Sequence, residues 1–250
     1  MAIDLDAIRR KLNNLQTQTG RQDNLWKPEP GKNQVRIVPY QHNKENPFIE
    51  MYFHYDLGKK NYLSPITYGE PDPVEEFAQK LRATGKSDDF KLARKLSPKM
   101  RCYVPVIVRG QESEGVKFWG FGKQVYTELL GFISDPDYGD ITDVKSGRDI
   151  SLEFTPAEGV GNYPKTVIRV KPNQTAATED ANVADKIVSG QKEIFEIFRK
   201  NSYDDLKAVL EEWLNPDGGE VTPAVASTST STGVSSTKDV ESAFDDLFNE

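Results

Sequence analysis

The chain has 250 residues, 36% of them hydrophobic and 28% charged, with 32 Lys+Arg against 39 Asp+Glu for a net charge of -7. That length holds one core-bearing domain of roughly 180 residues plus flexible ends. One cysteine, Cys102, excludes an internal disulfide, and no apolar run nears the ~18 residues of a membrane span or the pattern of a signal peptide, so a soluble intracellular protein is expected.

At the N-terminus, Leu5, Ile8, Leu12 and Leu15 recur at three- and four-residue intervals. With Asp4 and Asp6 leading and Arg9, Arg10 and Lys11 following, residues 1–20 predict a short amphipathic arm with a basic face. From Trp26 to about Val170 the chain is punctuated by Pro and Gly and breaks into short alternating stretches. These are Gln34 to Val38, Glu50 to Tyr55, Met100 to Arg109, Lys117 to Lys123, Ile150 to Phe154 and Thr166 to Lys171. Such spacing predicts a mainly β protein with accessory helices, an α+β class built on a small Greek-key barrel or sandwich, rather than alternating βαβ units. Pro73 to Thr84 and Asp88 to Leu96 read as helices. Helical spacing returns over Gln191 to Leu214 and stops at Asn215-Pro216-Asp217-Gly218-Gly219.

Residues 215–238 then form a Ser/Thr-rich linker, expected to be disordered. Residues 239–250 interleave acid and aromatic, with Phe244, Asp245, Asp246, Leu247 and Phe248 at the tip. From Asn201 onward eleven Asp+Glu face two Lys, a net of -9, which leaves the first 200 residues at about +2. A detachable acidic tip behind a faintly basic body suits a protein that holds single-stranded nucleic acid, screens its own groove and docks partners through Phe244, Leu247 and Phe248.

The strongest chemical signal lies in Lys117-Phe118-Trp119-Gly120-Phe121-Gly122-Lys123. Read as a strand, one face shows Lys117, Trp119, Phe121 and Lys123 in the order cation, ring, ring, cation. Bases stack on aromatic faces while Lys and Arg neutralise the phosphates between them, so this face is a candidate binding surface. The competing assignment makes Trp119 and Phe121 core residues. In Met100 to Arg109, the alternation places Cys102, Val104, Val106 and Val108 inside. Arg101, Tyr103, Pro105, Ile107 and Arg109 fall on the wet face. Upstream, Gln79 to Arg101 carries eight Lys+Arg, among them Arg94, Lys95 and Lys99, around Phe90. Tyr55 to Tyr62 sets two rings about Lys59 and Lys60. Recurrence of basic and aromatic residues at several places is more specific than any one of them.

In order along the chain, Trp26-Lys27, Val35-Arg36-Ile37-Val38-Pro39, Asn46-Pro47-Phe48, the basic stretch ending at Arg101, and Glu114 to Lys123 resemble the single-stranded DNA-binding, helix-destabilising proteins of T-even-type tailed phages. The resemblance implies an OB-fold core over residues 21–214 with an inserted subdomain at about 55–98. It implies cooperative coating of single-stranded DNA in phage replication, recombination and repair, in the cytoplasm of the infected host. Arg9, Arg10 and Lys11 would contact the next protomer on the strand, and the tail would recruit replication proteins. Lys60, Tyr62, Phe90, Arg94, Lys95, Tyr103, Trp119 and Lys123 fall where that family places DNA-contacting or groove-lining residues. The best-studied members of that family hold a structural zinc through one His and three Cys, including a Cys-Pro-x-Cys pair. Here the matching stretch reads Asp72-Pro73-Val74-Glu75, and one cysteine with His42 and His54 cannot supply such a site, so no metal and no cofactor are expected. Tyr62, Tyr68, Phe77 and Leu81 are expected to hold the subdomain instead.

No catalytic activity is expected. The pairs Asp88-Asp89, Asp204-Asp205 and Glu211-Glu212 read as solvated helix faces or first-turn dipole partners, and no phosphate-binding glycine loop or nucleophile motif occurs. Two other classes remain open on these residues: an RNA-binding or recombination-mediator barrel, and a scaffolding protein with an acidic docking tail.

Overall fold

The structure is a computed structural model that describes residues 24–58, 60–159, 163–179, 184, 187, 189–215 and 244. Among these are eight strands and five α-helices, an α+β fold dominated by sheet. The chain divides into two compact units. The first comprises the described residues up to Glu50 with Arg101–Phe198, and the second Met51–Met100 with the described residues from Arg199 onward. None of the described helices is long and apolar enough to cross a membrane.

In the first unit the strands are β1 (Leu25–Trp26), β2 (Gly31–Ile37), β5 (Lys99–Val108), β6 (Lys117–Phe121), β7 (Arg148–Thr155) and β8 (Lys165–Gln174), ordered β1-β6-β5-β2-β7-β8 across the sheet. All neighbours are antiparallel except β1 with β6. β2 lies mid-sheet with Val35 opposite both Val108 and Ile150. Val35, Ile37, Cys102, Val104, Val106, Ile150 and Leu152 are buried together, each worth ~1.5–3 kcal/mol if fully removed from water. Pro105 and Ile107 are buried as well, so the second face of β5 is covered over that half of the strand rather than wet. Ile107 packs with Val38, Ala177 and Ile187.

β6 stops at Phe121, and the expected last strand residue, Lys123, instead opens helix α3 (Lys123–Ser134). The residues did not announce this helix, because its N-cap is Gly122, which has no capping side chain. Val125 and Leu129, one turn apart, anchor it. The helix expected over Gln191 to Leu214 is two helices, α4 (Ile194–Ile197) in this unit and α5 (Tyr203–Leu214) in the other. The chain is extended at Phe198, and Ser202 starts α5 afresh through a capping box with Asp205.

In the second unit, β3 (Ile49–His54) pairs with β4 (Tyr62–Leu63), followed by a 3-10 turn, α1 (Pro73–Ala83), α2 (Ser87–Leu96) and α5. Asp72 caps α1, Pro73 fits its first turn, and acids begin and bases end both α1 and α2, as the helix dipole favours. Their apolar sides meet Leu206 and Leu210 of α5 in one cluster with Leu57, Val74, Phe77, Ala78, Leu81, Ala93 and Leu96, fringed by Tyr62 and Trp213. Of the residues expected to hold this subdomain, Tyr62, Phe77 and Leu81 are in the cluster or at its edge.

Candidate nucleic-acid interface

In the first unit, Tyr103 on β5 lies across from Gly120 on β6. Its ring covers the glycine so closely that a Cβ there would stand 2.5 Å from Tyr103 Cε1. The same ring meets Phe198 at 5.2 Å between centroids with planes 57° apart, and both rings are half-exposed. Arg101, two residues earlier on the same face, donates from Nη2 to the Gly120 carbonyl at 2.9 Å. Two partly open rings beside a guanidinium can receive a stacked base and an adjoining phosphate. Tyr103 and Arg101 were expected here; Phe198 was not, since its spacing assigned it to an apolar helix face.

Trp119 and Phe121 correct the sequence expectation. Trp119 is 1% exposed and Phe121 4%. Trp119 packs edge-on against Trp26 at 6.1 Å and Phe121 at 4.6 Å, while Phe121 meets Phe48. β6 lies between β5 and β1 with Phe118 buried on its other side, so neither ring is open to a base. Of the flanking cations, Lys117 pairs with Glu114 and Lys123 is exposed at the start of α3.

A cleft of about 700 Å3 in this unit gathers Lys27, Lys32, Lys117, Lys171 and Arg109 against Glu29 and Glu114, with Trp26 and Ser151 also lining it. Apart from Lys117, its lysines had no local signature. They come together only because β1 pairs with β6 and β2 with β7, which in turn pairs with β8. Beside it, Arg36, fully buried, and Arg109 share Asp149. Arg36 Nε and Nη2 reach Oδ1 at 2.9 and 2.8 Å, and Arg109 Nη2 and Nε reach Oδ1 and Oδ2 at 2.7 and 3.0 Å. Burial alone would raise the Asp149 carboxyl, but hydrogen bonds from Arg109 and Gln34 and the two guanidinium charges outweigh it and hold the group below its ordinary range. Both arginines also donate to main-chain carbonyls, Arg36 to Thr175 and Arg109 to Ala176 and Ala177, which fastens the segment after β8. Arg109, expected on a wet face, is committed to this lock.

In the second unit the exposed rim is α2. Phe90 is 56% exposed, and Arg94, one turn on, lies on the same side. Lys95 and Lys99 are exposed beside them, Lys99 donating to the Arg94 carbonyl at 2.6 Å. Lys60 is exposed, whereas Tyr62 is half-buried against the apolar cluster. Asp88 and Asp204-Asp205 occupy first turns of helices, and Asp89, also in a first turn, is buried and accepts from Thr84 Oγ1 at 2.6 Å.

Behind that rim, Asp72 ties three elements. Its Oδ1 accepts from the Val74 and Glu75 amides at 2.9 and 3.2 Å; its Oδ2 accepts from Ser64 Oγ and from His54 Nε2, the latter at 2.9 Å. His54 Nδ1 donates to the Leu96 carbonyl at 2.7 Å. Burial opposes ionisation of Asp72, yet the hydrogen bond and charge of His54, with the bonds from Ser64 and Glu75, leave it lowered. Both nitrogens of His54 are engaged by oxygens and Cys102 lies in the other unit, so these residues do not fit a thiolate zinc site. Among the described residues no group of three or more His, Cys, Asp or Glu is placed to hold a metal ion.

Arg9, Arg10 and Lys11 of the arm and Asp245, Asp246, Leu247 and Phe248 of the tail lie outside the described residues. Phe244 lies within them, and it is not displayed: it is 9% exposed and packs edge-on against Phe77 at 6.0 Å. Compared with known proteins, the chain matches the family described as gp32 DNA binding protein like over residues 29–214. No curated protein matches it.

Proposed function

Because the chain belongs to the gp32-like DNA-binding protein family, we propose that it coats single-stranded DNA with little regard to sequence, as a non-catalytic protein of phage replication, recombination and repair in the host cytoplasm. The observation that carries the reading is the half-exposed Tyr103–Phe198 pair beside Arg101. Stacking on such rings is tolerant of sequence because every base has a π-face. Arg94, Lys95 and Lys99 around Phe90, and separately the lysines of the cleft, supply phosphate contacts. On this reading the antiparallel sheet of the first unit is an OB-type barrel. The basic N-terminal residues carry cooperative contact with the next copy on the strand, and the acidic tail recruits replication and recombination proteins.

The test is affinity for an unstructured oligodeoxynucleotide across a salt series, with the RNA of the same sequence alongside. Wild-type protein should favour DNA and lose affinity steeply with salt; Tyr103→Ala and Phe198→Ala should each weaken binding by ~1–3 kcal/mol. Equal preference for RNA would move the function to RNA binding, and no binding to either strand would refute it. Unchanged affinity in both variants would remove the stacking site.

A further inference from the structure

We propose that the apolar pocket between α1 and α5 is the seat of the chain's own tail tip, with Phe244 as the residue that fills it. Phe244 is counted in the same buried cluster as Phe77, Val74 and Leu81 of α1 and Leu206 and Leu210 of α5, and its ring meets Phe77 edge-on at 6.0 Å with planes 73° apart. An acidic tail would be expected to find a basic groove through its carboxylates. What receives Phe244 here is apolar, and all of it comes from the second unit.

The tether permits closure within one molecule. α5 ends at Leu214, about 12 Å along the helix from the Leu206 side of the pocket. The 28 residues between Asn215 and Phe244 have a maximum reach of roughly 100 Å, well beyond that distance. Tethering of that kind gives an effective concentration on the order of mM, so even a weak contact is closed in cis while the same segment added in trans binds poorly. A partner that reads the tail through Phe244 must first take it from this pocket, and the emptied pocket then becomes a receptor for an aromatic-acidic peptide. Because the contact is apolar, salt should leave it in place, unlike a tail held by charge. The seat goes beyond the DNA-binding reading and stands or falls without it.

Two measurements on the full chain test it. With a photoreactive benzoylphenylalanine at position 244, irradiation should give an intramolecular adduct on peptides from 73–83 or 203–214, in similar yield at about 0.05 M and about 0.5 M salt. An adduct elsewhere, or one lost at high salt, overturns the apolar seat; a dimeric adduct overturns closure in cis and gives the pocket to a second copy. In the second, a fluorescent peptide of residues 239–250 is titrated into wild-type and Phe244→Ala protein. Removal of the resident side chain should strengthen peptide binding by about tenfold or more. Equal binding overturns the proposal, and DNA affinity measured in the same samples reports separately on the function.

Discussion

Replacing Asp72 by alanine should unfold the second unit far more readily than loss of a single surface charge. Its Oδ1 caps α1 through two amides, a contribution of ~0.5–2 kcal/mol. Its Oδ2 is the acceptor for His54, which is 1% exposed, and removing one member of a buried pair typically costs ~3–5 kcal/mol. The two effects share one side chain and do not add, so about 3–5 kcal/mol is expected in all. Asp72→Asn keeps a good cap but not the charge and should recover only the cap. Urea unfolding of the full chain followed by circular dichroism, with limited proteolysis between residues 51 and 100 as a local probe, measures both. The acid limb gives an independent check. The carboxyl of Asp72 is lowered in the folded protein, so its contribution is complete above the unfolded value of ~3.9 and is lost as pH falls through the folded value. Wild-type stability should therefore drop below about pH 4, and the Asp72→Asn protein should lack that component. A loss under ~1.5 kcal/mol in Asp72→Ala would refute the reasoning, because the network would then not be holding the unit.

Trp119→Ala should destabilise the first unit by ~3–5 kcal/mol while its folded fraction binds DNA normally; a binding defect without destabilisation would return Trp119 to the interface. Gly120→Ala places a methyl against Tyr103 and should displace that ring, weakening DNA binding by ~1 kcal/mol or more with little loss of thermal stability; unchanged affinity would separate Tyr103 from the site. Asp149→Ala leaves the fully buried Arg36 without its carboxylate and should cost ~3–5 kcal/mol in denaturant unfolding, whereas Asp88→Ala on the exposed face of α2 should leave the unfolding midpoint nearly unchanged. If the cleft carries phosphate, Lys32→Ala and Lys171→Ala should each lower the salt slope of DNA binding by roughly one; slopes equal to wild type would leave the cleft outside the path.

The helices with chemical start signals were legible. Pro73 to Thr84 and Asp88 to Leu96, read as helices, fall within a residue of α1 and α2, whose caps and dipole partners are local interactions. Strands such as β5 and β7 followed from alternation and β-branched content. Alternation failed at Trp119, since a strand covered on both faces and bracketed by lysines has the same pattern as one with a wet aromatic face. α3 was missed because a glycine cap carries no side-chain signal, and the break at Phe198 because apolar spacing ran on across it. Arg101 and Tyr103 in the first unit and, separately, Phe90, Arg94 and Lys95 in the second were singled out by local composition, and all are at least partly exposed. Lys27, Lys32 and Lys171 were not, as long-range pairing of strands alone assembles them.

The Arg36–Asp149 ion pair joins residues 113 positions apart, and the whole of residues 51–100 intervenes. A ribosome adding ~5–20 residues per second makes Asp149 roughly 6–23 s after Arg36. Through that interval β2 has neither β7 nor, at first, β5 to pair with, so Val35 and Ile37 lie on an open edge. Residues 51–100 are made while the strand still waits, and their own cluster in turn waits for Leu206 and Leu210 of α5. During synthesis β2 is therefore a late-pairing and vulnerable strand of the first unit. A nascent chain stalled before residue 149 would expose a sticky β2, the state in which chaperone binding or aggregation of this protein should concentrate.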